Sequence, residues 1–221
     1  MRPGLIGKIA GIAKIFRSAW RRHGLIRTVR LWSSELRFDL QNRTATALDL
    51  RGGSLHSRNR SGGHEGSNPL LFAELIRHAP VDRASSVFLD FGAGKGRALL
   101  LAAQHGFRKA IGVEVRADLC AIARSNITTY RRGHSPCAME MHCVDAAVFE
   151  VPDEVNVAYF FNPFGPEVMR ATLAHITESL GRRPREFFVV YLHPSLEALF
   201  LEAGFRRVWR EGTDGAILCQ P

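Results

Sequence analysis

Residues 88–97 read Phe88-Leu89-Asp90-Phe91-Gly92-Ala93-Gly94-Lys95-Gly96-Arg97. An apolar run ends near an acid, glycines follow at alternate positions, and a Leu/Ala-rich stretch comes next. That is the pattern of a strand, a tight loop and a helix. In an open α/β sheet, ligands bind beyond the carboxyl ends of the strands. Glycines there let the main chain approach a ligand without Cβ clashes and adopt positive φ. The helix behind them offers unpaired N–H groups. Three ligand classes use such a loop. A Walker-type phosphate loop needs GxxxxGK[ST], and Lys95 is followed by Gly96, so that reading fails. A dinucleotide fingerprint needs GxGxxG, and the position three after Gly94 is Arg97, where a side chain obstructs close helix–strand packing. What remains is DxGxGxG.

Around this loop, strands and helices alternate. Nearly continuous apolar runs at 86–91, 109–115, 138–144, 155–161 and 186–192 read as parallel strands buried on both faces. Helical stretches are expected near 96–105, 117–130, 166–180 and 195–203. A further helix should run from Pro69 to His78, with Asn68 as N-cap and Pro69 at the first helical position. Two strands at 205–210 and 215–220 close the chain, and Glu211 to Asp214 is short enough for a hairpin. The pattern is β-α repeated five times and then a hairpin, which implies an α/β fold with a sheet covered on both faces.

With these residues in place, the chain resembles the class I, Rossmann-like methyltransferases, whose first motif is an acidic residue followed by GxGxG. The resemblance spans residues 68–221, including the terminal hairpin that separates this family from dehydrogenases. It implies a doubly wound, seven-stranded, mostly parallel sheet of order 3-2-1-4-5-7-6, with a terminal antiparallel hairpin. It also implies S-adenosyl-L-methionine as cofactor, its methionine part wrapped by Asp90, Gly92, Ala93, Gly94 and Gly96, with Asp90 near the ammonium group. Glu114 ends the second strand, 22 residues after Gly92. A carboxylate there can accept hydrogen bonds from ribose hydroxyls, as in dinucleotide-binding folds, and the family's matching acid does so. Asp145, just past the third strand, matches the family residue beside the adenine amine. Lys95 is the one cation this set offers to a phosphate, which favours an uncharged adenosine end.

The fourth strand ends in Tyr159-Phe160-Phe161-Asn162-Pro163-Phe164-Gly165. Methyltransferases acting on the amino groups of adenine or glutamine carry [DNS]-P-P-[YF] here. Asn162 and Pro163 match, the second proline is missing, and Phe164 arrives one place early. The stretch is more similar to the NPFG of a group of bacterial methyltransferase-like proteins of unknown substrate, and distantly to the non-SET lysine methyltransferases. The resemblance implies methyl transfer to a nitrogen in a protein or small molecule. Asn162 would orient the acceptor beside the cofactor, and Phe164 would wall the pocket. An amine must shed a proton around the time of attack. His193, near the end of the fifth strand, is a candidate base because histidine titrates near neutral pH. Two other readings stay open: a nucleic-acid methyltransferase, and a protein of this fold that binds the cofactor without catalysis.

The formal net charge is +9, and residues 1–34 hold eight Lys or Arg and no Asp or Glu. The basic excess therefore belongs to one end of the chain, and a global nucleic-acid-binding field is a poor reading. Leu5, Ile9, Ile12, Phe16 and Trp20 fall on one face of an amphipathic helix over 5–20. Residues 1–50 are read as a basic N-terminal extension that packs on the catalytic domain, rests on a membrane surface or, less favoured, contacts nucleic acid. An Arg-rich, acid-free start also has transit-peptide character. The pattern over 25–50 is mixed. Residues 51–67, rich in Gly, Ser, Arg and His, read as a linker or lid whose His64 and Glu65 can close over the cofactor. No apolar run reaches the roughly 18 residues of a spanning helix. Cys120, Cys137, Cys143 and Cys219 form no CxxC pair, which points to reduced thiols, a cytoplasmic protein and no metal. Such a protein would sit peripherally at the inner membrane surface if the arm binds lipid.

Overall fold

The computed structural model describes residues 24–46, 66–131, 136–212 and 214–221. The expected helix over 5–20, and most of the 51–67 stretch including His64 and Glu65, lie outside the described residues. In chain order the elements are α1 (Leu25–Asn42), α2 (Pro69–His78), β1 (Val87–Phe91), α3 (Arg97–Gln104), β2 (Lys109–Glu114), α4 (Ala117–Arg131) and β3 (Ala138–Cys143). A 3-10 turn (Ala146–Val148), β4 (Val157–Phe161), α5 (Pro166–Arg182), β5 (Phe187–Leu192), α6 (Glu197–Glu202), β6 (Arg206–Glu211) and β7 (Gly215–Gln220) complete it.

The seven strands form one sheet of order β3-β2-β1-β4-β5-β7-β6. Strands β1 to β5 pair in parallel, and β7 runs antiparallel to both β5 and β6. This is the order the resemblance implied. Every residue of β1 is buried. Its neighbours in register at Asp90 are Gly112 of β2 and Tyr159 of β4. A side chain at Gly112 is excluded: a Cβ there would come within 2.8 Å of Leu99, 2.9 Å of Ala93 and 2.9 Å of Met141. The bare residue lets α3 and the glycine loop settle against the sheet.

Period-two alternation splits the core into two layers. Phe88, Ala110, Tyr159, Phe188 and Ile217 face α2, α3 and α4. Val87, Leu89, Phe91, Phe160 and Val189 face α5 and α6. Phe72 of α2 is fully buried, its ring 5.4 Å from that of Tyr159 and 5.8 Å from that of Phe88. Phe72→Ala opens a cavity there and should cost about 3–5 kcal/mol. Thermal melts should show the midpoint falling by about 10 °C.

Two expectations are corrected. The connection from β3 to β4 holds only a 3-10 turn, capped by the Asp145 side chain through Ala147 N–H at 2.9 Å. The chain is therefore not five full β-α units. Residues 25–42, whose pattern reads as mixed, form a regular 18-residue helix. α2 begins as read, with Asn68 accepting from Leu70 N–H and Pro69 opening the helix. None of the described helices is long and apolar enough to cross a membrane.

Candidate functional site

The carboxyl ends of β1, β2, β4 and β5 border a crevice of about 540 Å³, a size suited to small-molecule binding. Gly92, Gly94 and Gly96 all have positive φ, at 80°, 53° and 82°. A Cβ on Gly92 would strike Pro163 at 2.7 Å. The bare residue lets the β1 loop pass beneath the β4 end. Gly92 and Ala93 both donate to Val113 O at 2.9 Å, which fastens the loop to β2. Gly92 and Ala93 line the crevice. Gly96 instead packs on Ala123 of α4, where an added Cβ would lie 3.2 Å away. Gly94 works through its N–H, which donates to Glu114 Oε2 at 3.0 Å.

Glu114 is buried, and its other oxygen accepts from Arg116 N–H at 2.9 Å. It therefore organises two main-chain loops while lining the crevice. Asp90 lies deeper, 4% exposed. Burial, and then the charge of Glu114, push its carboxyl from the usual range up to about 8. Neither cause is a cation, so this acid sits in a pocket that opposes its charge. Asp145 lines the rim with an exposed side chain. Between the acids, Val113, Val115, Leu119, Val144 and Ala146 form an apolar wall.

At the opposite end stand Phe161, Asn162, Pro163, Phe164 and His193. Asn162 and His193 both precede proline, and both take positive φ, 42° and 53°. Two such non-glycine residues at adjacent strand ends store backbone strain of the kind that gathers at functional sites. Ser195 Oγ donates to Asn162 Oδ1 at 2.5 Å, and Tyr191 Oη approaches the same oxygen at 3.4 Å. The rings of Phe161 and His193 lie 5.6 Å apart. Phe164 packs against the α5-side core while one edge reaches Gly92.

The sequence reading missed Ser67, Arg97 and Ser195. Gly66 and Ser67, counted in the linker stretch, line the crevice, and Ser67 Oγ accepts from the buried Tyr159 hydroxyl at 2.9 Å. In the sequence Arg97 reads as an obstacle to close helix–strand packing. Its side chain instead turns away from β1 toward the N-terminal segment and is buried while lining the crevice. Its Nε donates to Thr46 Oγ1 at 2.7 Å, and Nη1 lies 3.3 Å from Glu35 of α1. Thr46 donates in turn to Asp39. Asn126 of α4 closes the network, donating to Lys95 O at 3.0 Å and accepting from Ala45 N–H at 3.0 Å. Glu35 and Asp39, four apart on one helix, were the available signal. Among the described residues Arg97 and Arg116 line the crevice and Lys95 does not, so the reading of Lys95 as the one cation on offer to a phosphate is corrected.

No protein-family model matches the chain, and no curated protein does. Solved structures do. A candidate S-adenosylmethionine-dependent methyltransferase from Methanococcus maripaludis superposes with a TM-score of 0.52 at 11% identity, over 68% of this chain and 83% of that one. A candidate RNA methyltransferase from Pyrococcus horikoshii gives 0.50 at 19% identity, over 67% and 81%. Against the StiE O-MT segment the TM-score is 0.47 at 16% identity, and the chain spans 50% of that chain's length. With its strand order and reversed β7, the chain has the fold of the class I methyltransferases.

Proposed function

We propose that this chain transfers a methyl group from S-adenosyl-L-methionine to a nitrogen acceptor in a protein or small molecule, in keeping with the Asn162-Pro163 pair that resembles the motif of amino-group methyltransferases. The observation that carries this reading is Asp90. A carboxyl held up to about 8 by burial and a second acid suits a ligand that brings its own cation. The ammonium of the cofactor's amino-acid end would supply it. Glu114, already ordered by two N–H groups, retains lone pairs for the ribose hydroxyls. Val115, Leu119 and Val144 would clasp the adenine, with Asp145 at its amine.

The sulfonium of the bound cofactor supplies an electrophilic methyl group, and the protein's task is alignment and exclusion of water. Asn162 holds the acceptor nitrogen in line, its own amide steadied by Ser195. Phe164 and Phe161 would wall the approach, and His193, at the same end of the crevice, would take the proton. Asn162→Ala should reduce methyl transfer about a hundredfold while leaving cofactor affinity within a few-fold. The check is tritiated-methyl incorporation into cell lysate, fractionated into protein, nucleic acid and small molecules, beside direct cofactor titration. Label appearing in nucleic acid would replace the proposed acceptor. Cofactor binding without label in any fraction would assign the chain a non-catalytic role.

A further inference from the structure

The outward surface of α1 is the least expected part of the molecule. Ile26, Val29, Leu36 and Leu40 are exposed at 84%, 51%, 61% and 71%. Their spacing sets them in one stripe along the helix. Arg30 and Arg37, both exposed, border that stripe. The only two acids of α1, Glu35 and Asp39, are turned the other way, onto Arg97. The helix therefore shows solvent aliphatic side chains and positive charge, while its negative charge is spent inside. Beyond Arg30 the same surface continues into a groove of about 400 Å³ between α1 and α2. Arg27, Arg30 and Arg77 line it, with Leu70 at its edge and Glu74 as its one acid.

We infer that this face docks the chain on an anionic membrane surface. The stripe would sit at the boundary of headgroups and acyl chains, with the arginines at the lipid phosphates. Charge complementarity selects this occupant. A second copy packed about a two-fold axis would gather Arg30 and Arg37 of both copies into one interface, with the two acids of each α1 turned inward and none in the stripe to pair them. Nucleic acid would engage the arginines and leave four aliphatic side chains in water, with only the half-buried ring of Trp32 beside the stripe. The inference does not depend on the chemistry of the crevice, so either can fail alone.

The test is flotation of the full chain with vesicles of phosphatidylcholine alone, and of phosphatidylcholine mixed with phosphatidylglycerol. Binding to the anionic vesicles should be at least about tenfold tighter and should weaken with salt. In the full chain, Leu36→Gln with Leu40→Gln, and separately Arg30→Glu with Arg37→Glu, should each weaken it about tenfold or more. All four side chains are exposed, and unchanged melting curves would show that the fold is retained. Equal binding to both vesicle types would overturn the inference. So would undiminished binding by the Leu36/Leu40 variant, which would assign the effect to the basic residues before α1. A monomer–dimer equilibrium, or oligonucleotide binding, abolished by the same substitutions would also overturn it.

Discussion

Asp90→Asn should stabilise the ligand-free protein and cripple cofactor binding. Both effects come from one cause. The carboxyl of Asp90 is raised from 3.8 to about 8 by burial and by the charge of Glu114. Between those values the folded protein holds a proton that the unfolded chain has released. Its stability therefore falls as pH rises, by up to about 1.4 kcal/mol per unit, and levels off above the folded value. The neutral amide removes this dependence. Melts of the ligand-free variant at pH 8 should show a midpoint several degrees above the native one, and the two should converge toward pH 4. Binding of an ammonium needs the carboxylate. Affinity of the native protein for the cofactor should thus rise up to about tenfold per pH unit from 6 to 8. The variant should show no such rise and should bind about tenfold to a hundredfold more weakly at pH 8. A native affinity that does not change between pH 6 and 8 would remove Asp90 from the ammonium's partners.

The second large effect is expected at Arg97→Met. The guanidinium is buried at the start of α3, facing Glu35 at 3.3 Å and Asp39 at 3.9 Å. Removing one partner of such a cluster leaves negative charge uncompensated and costs about 3–5 kcal/mol. Glu35 keeps some solvent, so the lower end of that range is expected. The loss should be local. Hydrogen exchange should show Leu25–Asn42 losing protection while the sheet keeps it. Neutralising the stranded acids as well, in Glu35→Gln/Asp39→Asn/Arg97→Met, should recover most of the stability, because the three act as a unit. A single variant within about 0.5 kcal/mol of native would show that α1 is held by packing alone.

These two sites mark where the sequence was and was not legible. The sheet could be read because buried parallel strands such as Phe187–Leu192 are continuous apolar runs. The loop could be read because glycine at three alternate positions has few other uses. α1 was obscure because its apolar residues divide between two faces: Leu31 and Phe38 are buried beside Thr28, Glu35 and Asp39, while Ile26, Val29, Leu36 and Leu40 face out. Hydrophobic periodicity assumes that apolar residues are inside. Here a buried arginine from a distant helix draws two acids onto the inner face, and four apolar residues lie outside it. The roles of Ser67 and Ser195 were invisible for a related reason. Each acts through a hydrogen bond across at least 33 residues of chain, which no local pattern encodes. β3 lies at the sheet edge with Glu140, His142 and Cys143 exposed, and its short exit turn carries no helical pattern.

On the proposed reading, the crevice above Asp90 and Glu114 holds the adenosyl cofactor. Titration calorimetry of the full chain at pH 8 with S-adenosylhomocysteine, and with NAD beside it, addresses this directly. Saturable one-site heat with the first ligand and none with the second is the expected result. A folded protein that gives no heat with S-adenosylhomocysteine or S-adenosylmethionine, or that binds NAD instead, would contradict the account.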